Sequence, residues 1–459
     1  MLTDTIAAIA TAPGVSAIGV VRISGPDAVA LADKVFQPKH KRPLSQFPTH
    51  KMIYGSMMSP SGAPIDDGLC VVMRGPHSYT GEDVVEFHCH GNTTILQALL
   101  ATLVTHGARL AEAGEYTRRA FVNGKLDLLQ VEAVGDLLQA RSTAGVELAA
   151  QQLTGNLPDQ FAEMRQVLVG FLAHVHAAID YPEEVPEVSA EEWGTEVRAV
   201  LNRCETLLAH AASGIRLREG VDTVIIGKPN VGKSSLLNAL LRTQRAIVTD
   251  IAGTTRDVIE ESVEIAGVSF RLSDTAGLRS TDDPVEKEGV LRTQQRLAAA
   301  DLVLAIFDGS QPLTAEDKDV FTQVRKKPQK TLVVLNKSDL PQVLTAADFG
   351  DPPVVKVSAK LGDGLTELEE MMADAAGVVH ARQVQSTEQN LLSRPRQVGA
   401  LQGMAAALRQ ALNGMTAGVT PDCLAADLEE ALWHLGALTG ETTPDEIVDE
   451  IFKRFCVGK

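Results

Sequence analysis

One segment of nine residues, GKPNVGKSS at 227–235, constrains the fold of this chain more than any other feature. It follows an apolar run at 224–226 and precedes an apolar-periodic segment that begins at Leu236. A strand, a glycine-bearing loop and a helix start in this order form a cradle for phosphate groups. Lys233 can then reach the β- and γ-oxygens, and the Ser234 hydroxyl can ligate Mg²⁺. The segment therefore predicts an α/β domain that binds a nucleotide.

Four further segments follow in the order that guanine-nucleotide binding requires. Asp274 ends an apolar strand pattern and could hold Mg²⁺ through water, and a polar loop at 249–257 suits a switch that orders around the γ-phosphate. Asp339, in the NKSD sequence at 336–339, can accept two hydrogen bonds from guanine N1–H and N2–H₂, which adenine does not offer. Ser358 follows another strand pattern, where a backbone N–H could meet guanine O6. Together these segments predict GTP binding rather than a merely glycine-rich turn.

Length and composition limit the class of protein. A chain of 459 residues suggests about three domains, and a hydrophobic content of 44% is ample for packed cores. The best candidate for a membrane span, residues 167–179, is interrupted by His174 and His176, so no span is expected. Five scattered cysteines without a C-x-x-C pair, and a start without a basic signal region, predict a cytoplasmic protein. The net charge of −17 argues against non-specific nucleic-acid coating, so any RNA contact is expected to be local or shared with a partner.

Hydrophobic periodicity divides the chain into four stretches. Residues 1–122 mix β-rich and helical runs, which is typical of an α+β domain. Residues 123–215 and 380–459 are dominated by the period of long helices, and the nucleotide-binding stretch at 216–379 lies between them. We therefore predict a multidomain α/β protein in which a Ras-like P-loop GTPase domain is inserted into one discontinuous helical-bundle domain.

The hydrolytic machinery differs from the Ras pattern at one position. Leu278 stands where Ras-like proteins have the glutamine that orients the attacking water. Glu286 is the best acidic candidate to hold that water, although an acidic residue in the first turn of a helix explains it equally well. No arginine finger is obvious within the chain. A bound monovalent cation could supply the missing positive charge, with Asn230 and the carbonyls of residues 249–254 as ligands.

Two other patterns are interpreted as structural. Alternation along a strand places His88 and His90 on one face and Cys89 on the other, without a third ligand, so we do not predict a zinc site. Trp433 lies at helical spacing with Leu428 and Leu432 and is predicted to be a core residue.

The chain resembles the MnmE (TrmE) family of bacterial tRNA-modification GTPases, in the TRAFAC class TrmE-Era-EngA-like superfamily, over essentially its whole length. Related GTPases share much of the nucleotide-binding segment. The more specific motifs flank it: TGED at 80–83, GEYTRRAF at 114–121, NGKLD at 123–127 and DEIFKRFCVGK at 449–459. The ending has Val457 where the family usually has isoleucine, which is similar in shape, and Asn92 stands where a glycine is common.

The resemblance implies chemistry beyond GTP hydrolysis. Members of the family act with MnmG (GidA), a partner that uses FAD and NADH, on the wobble uridine (position 34) of certain tRNAs. They add an aminomethyl or carboxymethylaminomethyl group at C5 with a one-carbon donor, 5-formyltetrahydrofolate or a related tetrahydrofolate. The N-terminal domain is then aminomethyltransferase-like, binds the folate and holds two chains as a homodimer. The complex with the partner is a heterotetramer.

The resemblance also implies roles for residues outside the GTPase segment. Arg22, Glu86, Lys125 and Lys459 fall on folate-contacting positions, and their charges suit the polar edge of a pterin or its glutamate tail. Ordinary surface charge is the alternative for Arg22 and Lys125. Cys456 is either a nucleophile near the one-carbon donor or a cysteine packed at the end of an amphipathic helix, and the sequence leaves both open.

Within the GTPase segment, the resemblance implies that two GTPase domains pair across the nucleotide with K⁺ completing the site. The implied ligands are Ser234 and Thr255 for Mg²⁺, and Asn230, Thr249, Ile251 and Thr254 for K⁺, with Glu286 positioning the water. The implied GTP-binding residues are Asn230, Val231, Gly232, Lys233, Ser234, Ser235, Thr249, Asp250, Ile251, Ala252, Gly253, Thr254, Thr255, Asp274, Thr275, Ala276, Gly277, Asn336, Lys337, Asp339, Ser358, Ala359 and Lys360.

Two alternatives remain open. An Era- or Der-like GTPase would act in ribosome assembly and modify nothing. Era-like chains carry a basic KH module and Der-like chains carry two GTPase domains, and this sequence has neither pattern. A folate-dependent aminomethyltransferase with a regulatory GTPase insert would differ only in its substrate, so an assay of tRNA modification distinguishes it.

Overall fold

The computed structural model describes residues 4–185, 192–243, 261–274, 295–325, 330–387, 390–453 and 455–458. The chain divides into two compact units. Unit 1 comprises Met1–Gly135, Leu157–Gly194 and Ala406–Lys459, and unit 2 comprises Asp136–Asn156 and Thr195–Ala405. The bounds of the four stretches that we predict from the sequence are not tested by this two-way division, and they stay a prediction.

The described part of unit 1 contains a seven-stranded sheet in the order β3-β4-β5-β6-β2-β1-β7. Its strands are β1 (Ile6–Ile9), β2 (Ser16–Ser24), β3 (Phe36–Pro38), β4 (Met52–Met58), β5 (Pro64–Met73), β6 (Val84–Gly91) and β7 (Arg109–Leu110). These pairings are antiparallel, except that β1 and β7 run parallel. On β6, Val85, Phe87 and Cys89 enter the core, whereas Glu86 and His88 lie on the opposite face. The predicted separation of Cys89 from the histidines is confirmed.

Helices occur in both units. In chain order, the helices of the described ranges include α1 (Ala28–Val35), α2 (Thr93–Thr105), α3 (Glu115–Val122), α4 (Leu128–Gln139), α5 (Thr143–Thr154), α6 (Leu157–Asp180), α7 (Glu192–Glu219), α8 (Lys233–Thr243), α9 (Ala315–Val324), α10 (Leu365–Ala375), α11 (Val378–Thr387), α12 (Pro395–Ala417), α13 (Pro421–Thr439) and α14 (Asp445–Lys453). Within those ranges, none of them is long and apolar enough to cross a membrane.

Helices α1 and α2 cover the core face of the unit 1 sheet, because their apolar residues join the cluster that contains Phe36, Phe87 and Leu99. Asn92 caps α2 by accepting a hydrogen bond from the Thr94 N–H at 2.9 Å. The departure from glycine at position 92 therefore adds a cap to the helix.

Helix α13 packs against α6 in unit 1. Its buried stripe includes Leu428, Ala431, Leu435 and Leu438, which recur at three or four positions. Trp433 lies off this stripe and is 54% exposed, so the prediction that it is a core residue is wrong. The spacing from Leu428 and Leu432 is not enough, because Leu432 is only partly buried and residue 433 lies on the face of α13 opposite the stripe.

The described part of unit 2 contains a six-stranded sheet in the order β13-β12-β11-β8-β10-β9. Its strands are β8 (Val221–Ile226), β9 (Glu261–Ile265), β10 (Val268–Asp274), β11 (Leu302–Asp308), β12 (Thr331–Asn336) and β13 (Val354–Lys356). These pairings are parallel except for the β9–β10 hairpin. Apolar clusters cover both faces, as expected for a parallel sheet, and the ends of β8, β11 and β12 meet at one edge.

Candidate functional site

The phosphate loop joins β8 to α8 at the carboxyl edge of the unit 2 sheet. Gly232 has a φ of +97°, and a Cβ at this position would overlap Asn336 Nδ2, so only glycine fits the loop. Lys233 Nζ donates to the carbonyls of Gly227 at 2.9 Å and Lys228 at 3.0 Å. These contacts hold the ammonium group on the loop, where phosphate oxygens would be bound.

Asn336, at the end of β12, connects the loops at this edge and is only 3% exposed. Its Nδ2 donates to the Val231 carbonyl at 2.8 Å, and its Oδ1 accepts from the Ala359 N–H at 3.0 Å. Ser358 Oγ donates to Asp339 Oδ1 at 2.7 Å. The predicted base-recognition residues are thus brought together and fixed to the phosphate loop, while the Asp339 side chain stays exposed.

Two ion pairs at this edge do not follow from the sequence motifs. Lys228 Nζ contacts Asp317 Oδ2 at 2.7 Å, and Lys337 Nζ contacts Asp308 Oδ2 at 2.6 Å. Burial raises the pKa of Asp317, but hydrogen bonds from Lys228 and Thr314 outweigh it and leave the pKa below its usual value. The T-x-x-D spacing at Thr314 indicates a helix cap, yet nothing in the sequence connects that cap to Lys228, which lies 89 positions earlier.

Other predicted residues of this site are placed less completely. Asn230 has a φ of +64°. Both Asn230 and Ser234, which lies in the first turn of α8, are exposed. Only the backbone of Asp274 is described, as the last residue of β10. Another eleven predicted residues lie outside the described ranges: Thr249, Asp250, Ile251, Ala252, Gly253, Thr254, Thr255, Thr275, Ala276, Gly277 and Glu286. The Mg²⁺ and K⁺ assignments and the role of Glu286 therefore stay predictions.

A second candidate site lies on the face of the unit 1 sheet opposite its core. Arg22 on β2 lies directly across from Glu86 on β6, and Arg22 Nε contacts Glu86 Oε1 at 2.7 Å. Tyr116 Oη donates to the Arg22 carbonyl at 2.7 Å, and the Arg22 guanidinium lies 5.6 Å from the Tyr116 ring centroid. Lys125 donates instead to the Pro76 carbonyl at 3.1 Å. Of the predicted folate residues, the structure thus pairs Arg22 with Glu86.

A buried ion network fixes the helix that carries Tyr116. Arg119 on α3 is fully buried, and its guanidinium contacts Asp4 at 2.8 Å, Glu115 at 3.0 Å and Glu82 at 3.2 Å. An arginine without partners would be very costly at this depth, so the three carboxylates are what permits its burial. The GEYTRRAF motif contains two of these residues, but their contacts with Asp4 and Glu82 cannot be read from it.

The C-terminal residues also reach this site. Val457 forms an antiparallel bridge with Ala113, and Arg22 Nη1 donates to the Gly458 carbonyl at 3.4 Å. Gly458 has a φ of +97°, and a Cβ there would overlap the Ile9 carbonyl. Cys456 is exposed rather than packed, so its thiol is accessible in unit 1. Lys459 lies outside the described residues.

Comparison with known proteins places the chain in a family. A family model described as GTP-binding protein TrmE N-terminus matches residues 5–125, and one described as MnmE helical domain matches residues 128–456. The chain belongs to the MnmE family. This membership confirms the resemblance that the flanking motifs indicate.

Curated MnmE relatives match this chain from end to end. The tRNA modification GTPase MnmE of Symbiobacterium thermophilum is 46% identical over 464 residues, which cover 99% of each chain. That of Heliobacterium modesticaldum is 42% identical over 470 residues, which cover 100% of each chain. Among solved structures, the G domain of the T. maritima FeoB iron transporter matches 34% of this chain and 98% of its own, with 24% identity and a TM-score of 0.26. A TM-score this low supports no conclusion about the present chain.

Proposed function

We propose that this member of the MnmE family is a GTP-hydrolysing enzyme that modifies the wobble uridine of certain tRNAs together with MnmG (GidA). The observation that carries the GTP-binding part is the position of Asn336, which joins the phosphate loop to the loop of Ser358 and Ala359. The tRNA part rests on curated relatives that match the whole chain and are named tRNA modification GTPases.

Each described residue of the nucleotide site has a physical role in this proposal. Lys233 neutralises the β- and γ-phosphates, and Asp339, oriented by Ser358, accepts the two guanine donors. The exposed Ser234 hydroxyl and Asn230 amide each offer an oxygen atom as a ligand, and oxygen is the ligand type that hard cations prefer. We assign Mg²⁺ to Ser234 and Thr255, and K⁺ to Asn230, Thr249, Ile251 and Thr254. When bound, these cations supply positive charge beside the phosphates.

The absence of a Ras-like glutamine determines the rest of the hydrolytic proposal. Leu278 has no group that can polarise water, so Glu286 positions the attacking water. K⁺ substitutes for an arginine finger, and it is held as two GTPase domains pair. The protein is a homodimer in this proposal, and it forms a heterotetramer with its partner, which carries FAD and NADH.

The unit 1 site fits a reduced folate such as 5-formyltetrahydrofolate. The Arg22–Glu86 pair offers a donor and an acceptor side by side, and both side chains are less than one-fifth exposed. His88 Nε2 is buried beside this pair without a hydrogen bond among the described residues. An orphaned polar atom costs about 1–3 kcal/mol, which a ligand with a polar ring edge can recover. The bound folate supplies the one-carbon unit, while Arg22, Glu86, Lys125 and Lys459 hold it.

The test of this function is mass spectrometry of nucleosides from total tRNA of a strain that lacks the gene. We expect loss of the C5-aminomethyl and carboxymethylaminomethyl uridines, restored by the wild-type gene but not by Glu286→Ala. Unchanged wobble uridines together with defective ribosomal subunits would instead support the Era- or Der-like alternative. In the same strain, full restoration by Cys456→Ser would exclude a chemical role for that thiol.

A further inference from the structure

His88 lies beside the Arg22–Glu86 pair, but it is not among the four residues that the proposed function assigns to holding the folate. It is two residues after Glu86 on β6, so both side chains lie on the face opposite the core. Across the sheet, His88 pairs with Val20 on β2 and with Leu69 on β5. The two residues directly across from His88 are therefore apolar, and the charged Arg22–Glu86 pair lies next to it on the sheet.

The Nε2 atom of His88 is buried, and it makes no hydrogen bond within the part of the chain that the structure describes. Glu86 Oε2 lies 3.4 Å from this nitrogen, a distance longer than a normal hydrogen bond. The other oxygen of this carboxylate accepts from Arg22 Nε at 2.7 Å. Thus Glu86 Oε2 and His88 Nε2 are two neighbouring polar atoms, and a ligand can contact the buried nitrogen only after the atoms that cover it shift.

His90 provides a contrast on the same strand and the same face. Its side chain is 72% exposed, and its Nδ1 is 2.9 Å from Asp66 Oδ1 and 3.0 Å from Asp66 Oδ2. His90 thus has the surroundings of an ordinary surface histidine. The two histidines have the same chemistry and lie two positions apart, but of the two only His88 keeps a buried ring nitrogen without a hydrogen bond among the described residues.

We propose that His88 is a further binding residue of the folate site, and that its Nε2 hydrogen-bonds to the polar ring edge of the ligand beside Glu86. The inference rests on the proposed folate function of this site. A pterin ring presents neighbouring N–H, ring-nitrogen and carbonyl groups along one edge, so it can meet a carboxylate and an imidazole together. Neutral imidazole can donate or accept at Nε2, which suits either type of ring atom.

The test is calorimetric titration of the full-length protein with 5-formyltetrahydrofolate. His88→Leu replaces the imidazole by an apolar side chain and so removes Nε2. We expect the Kd for the folate to rise about tenfold, the usual effect of one lost hydrogen bond. His88→Gln keeps a polar atom near the Nε2 position and should bind within about threefold of wild type. His90→Leu is the matched control and should bind as the wild type does. Rescue by glutamine separates a binding role from a structural one.

Three outcomes overturn the inference in distinguishable ways. If wild type and His88→Leu bind the folate equally, His88 is not a binding residue, whereas the folate proposal stands. If the wild type binds no folate while the same preparation binds GDP, the folate proposal itself fails. If His88→Leu does not fold, His88→Asn replaces it, because its shorter amide cannot reach the Nε2 position. Wild-type affinity in His88→Asn would then overturn the inference, and weaker binding rescued by His88→Gln would support it.

Discussion

Replacing Gly232 by alanine tests how the phosphate loop is held against the end of β12. The new Cβ would be built on a residue with a φ of +97° and would overlap Asn336 Nδ2. This nitrogen is at the end of a side chain, but it can move aside only by giving up its hydrogen bonds. We therefore expect Gly232→Ala to strain the loop and to disconnect it from Asn336.

The magnitude follows from these two effects. The left-handed backbone costs a residue with a Cβ about 1–2 kcal/mol. Displacing the Asn336 amide breaks its bonds to the Val231 carbonyl and the Ala359 N–H, each worth about 0.5–1.5 kcal/mol. The expected loss of stability in unit 2 is therefore about 2–5 kcal/mol, of which the larger part comes from the displaced amide.

Gly350→Ala is the matched control, because Gly350 lies in the same unit with a φ of +71° and no atom within 4 Å of an added Cβ. It carries only the backbone cost. The assays are denaturant unfolding and titration with fluorescent GDP. We expect Gly350→Ala to keep its GDP affinity, and Gly232→Ala to lose at least about tenfold and to be less stable by about 1–3 kcal/mol than the control. Equal losses in the two variants would refute the reasoning.

Three further predictions concern the same site. Asn336→Ala leaves the Val231 carbonyl and the Ala359 N–H without their partner, so unfolding should be easier by about 1–3 kcal/mol per group, and an unchanged denaturation midpoint would count against it. Burial raises the pKa of Asp317, but the Lys228 hydrogen bond helps to hold it below the usual value. The ionised carboxylate therefore stabilises the folded protein at pH values above its unfolded pKa of about 4, and this stabilisation is lost as the pH falls through the lower folded pKa. Lys228→Met should therefore move the midpoint of acid unfolding, followed by circular dichroism, to higher pH, and an unmoved midpoint would contradict it. Replacing K⁺ by Na⁺ at equal ionic strength should reduce GTP turnover at least about tenfold, whereas equal rates would exclude a role for K⁺.

The sequence predicts those parts of the site in which the functional side chains and the backbone that positions them are only a few residues apart along the chain. The phosphate loop is of this kind, because strand, loop and helix follow one another from Val221 to Thr243. The polar residues at 336–339 are predicted in the same way, because they lie directly at the end of β12. Parallel strands end at one edge, so a residue that follows such a strand is placed once the strand is recognised. The fold of unit 2 and its nucleotide cradle follow from that rule.

Long-range contacts are what the sequence leaves undetermined. Asn336 reaches the Val231 carbonyl across 105 positions, and Lys228 reaches Asp317 across 89. No motif indicates either contact, because both depend on how neighbouring strands bring their ends together. The error at Trp433 has a related cause, since the buried stripe of a helix is set by the partner it packs against rather than by spacing alone.

In both candidate sites, a left-handed glycine lets a distant segment approach a polar side chain. Gly232 makes room for the Asn336 amide, and Gly458 makes room for the Ile9 carbonyl while its own carbonyl accepts from Arg22. A backbone that approaches this closely leaves no room for a side chain, so glycine is required at both positions. In particular, Cys456 lies two residues before the carbonyl that Arg22 contacts, and the Val457–Ala113 bridge and Gly458 hold the backbone that follows it, while Cys456 itself is exposed.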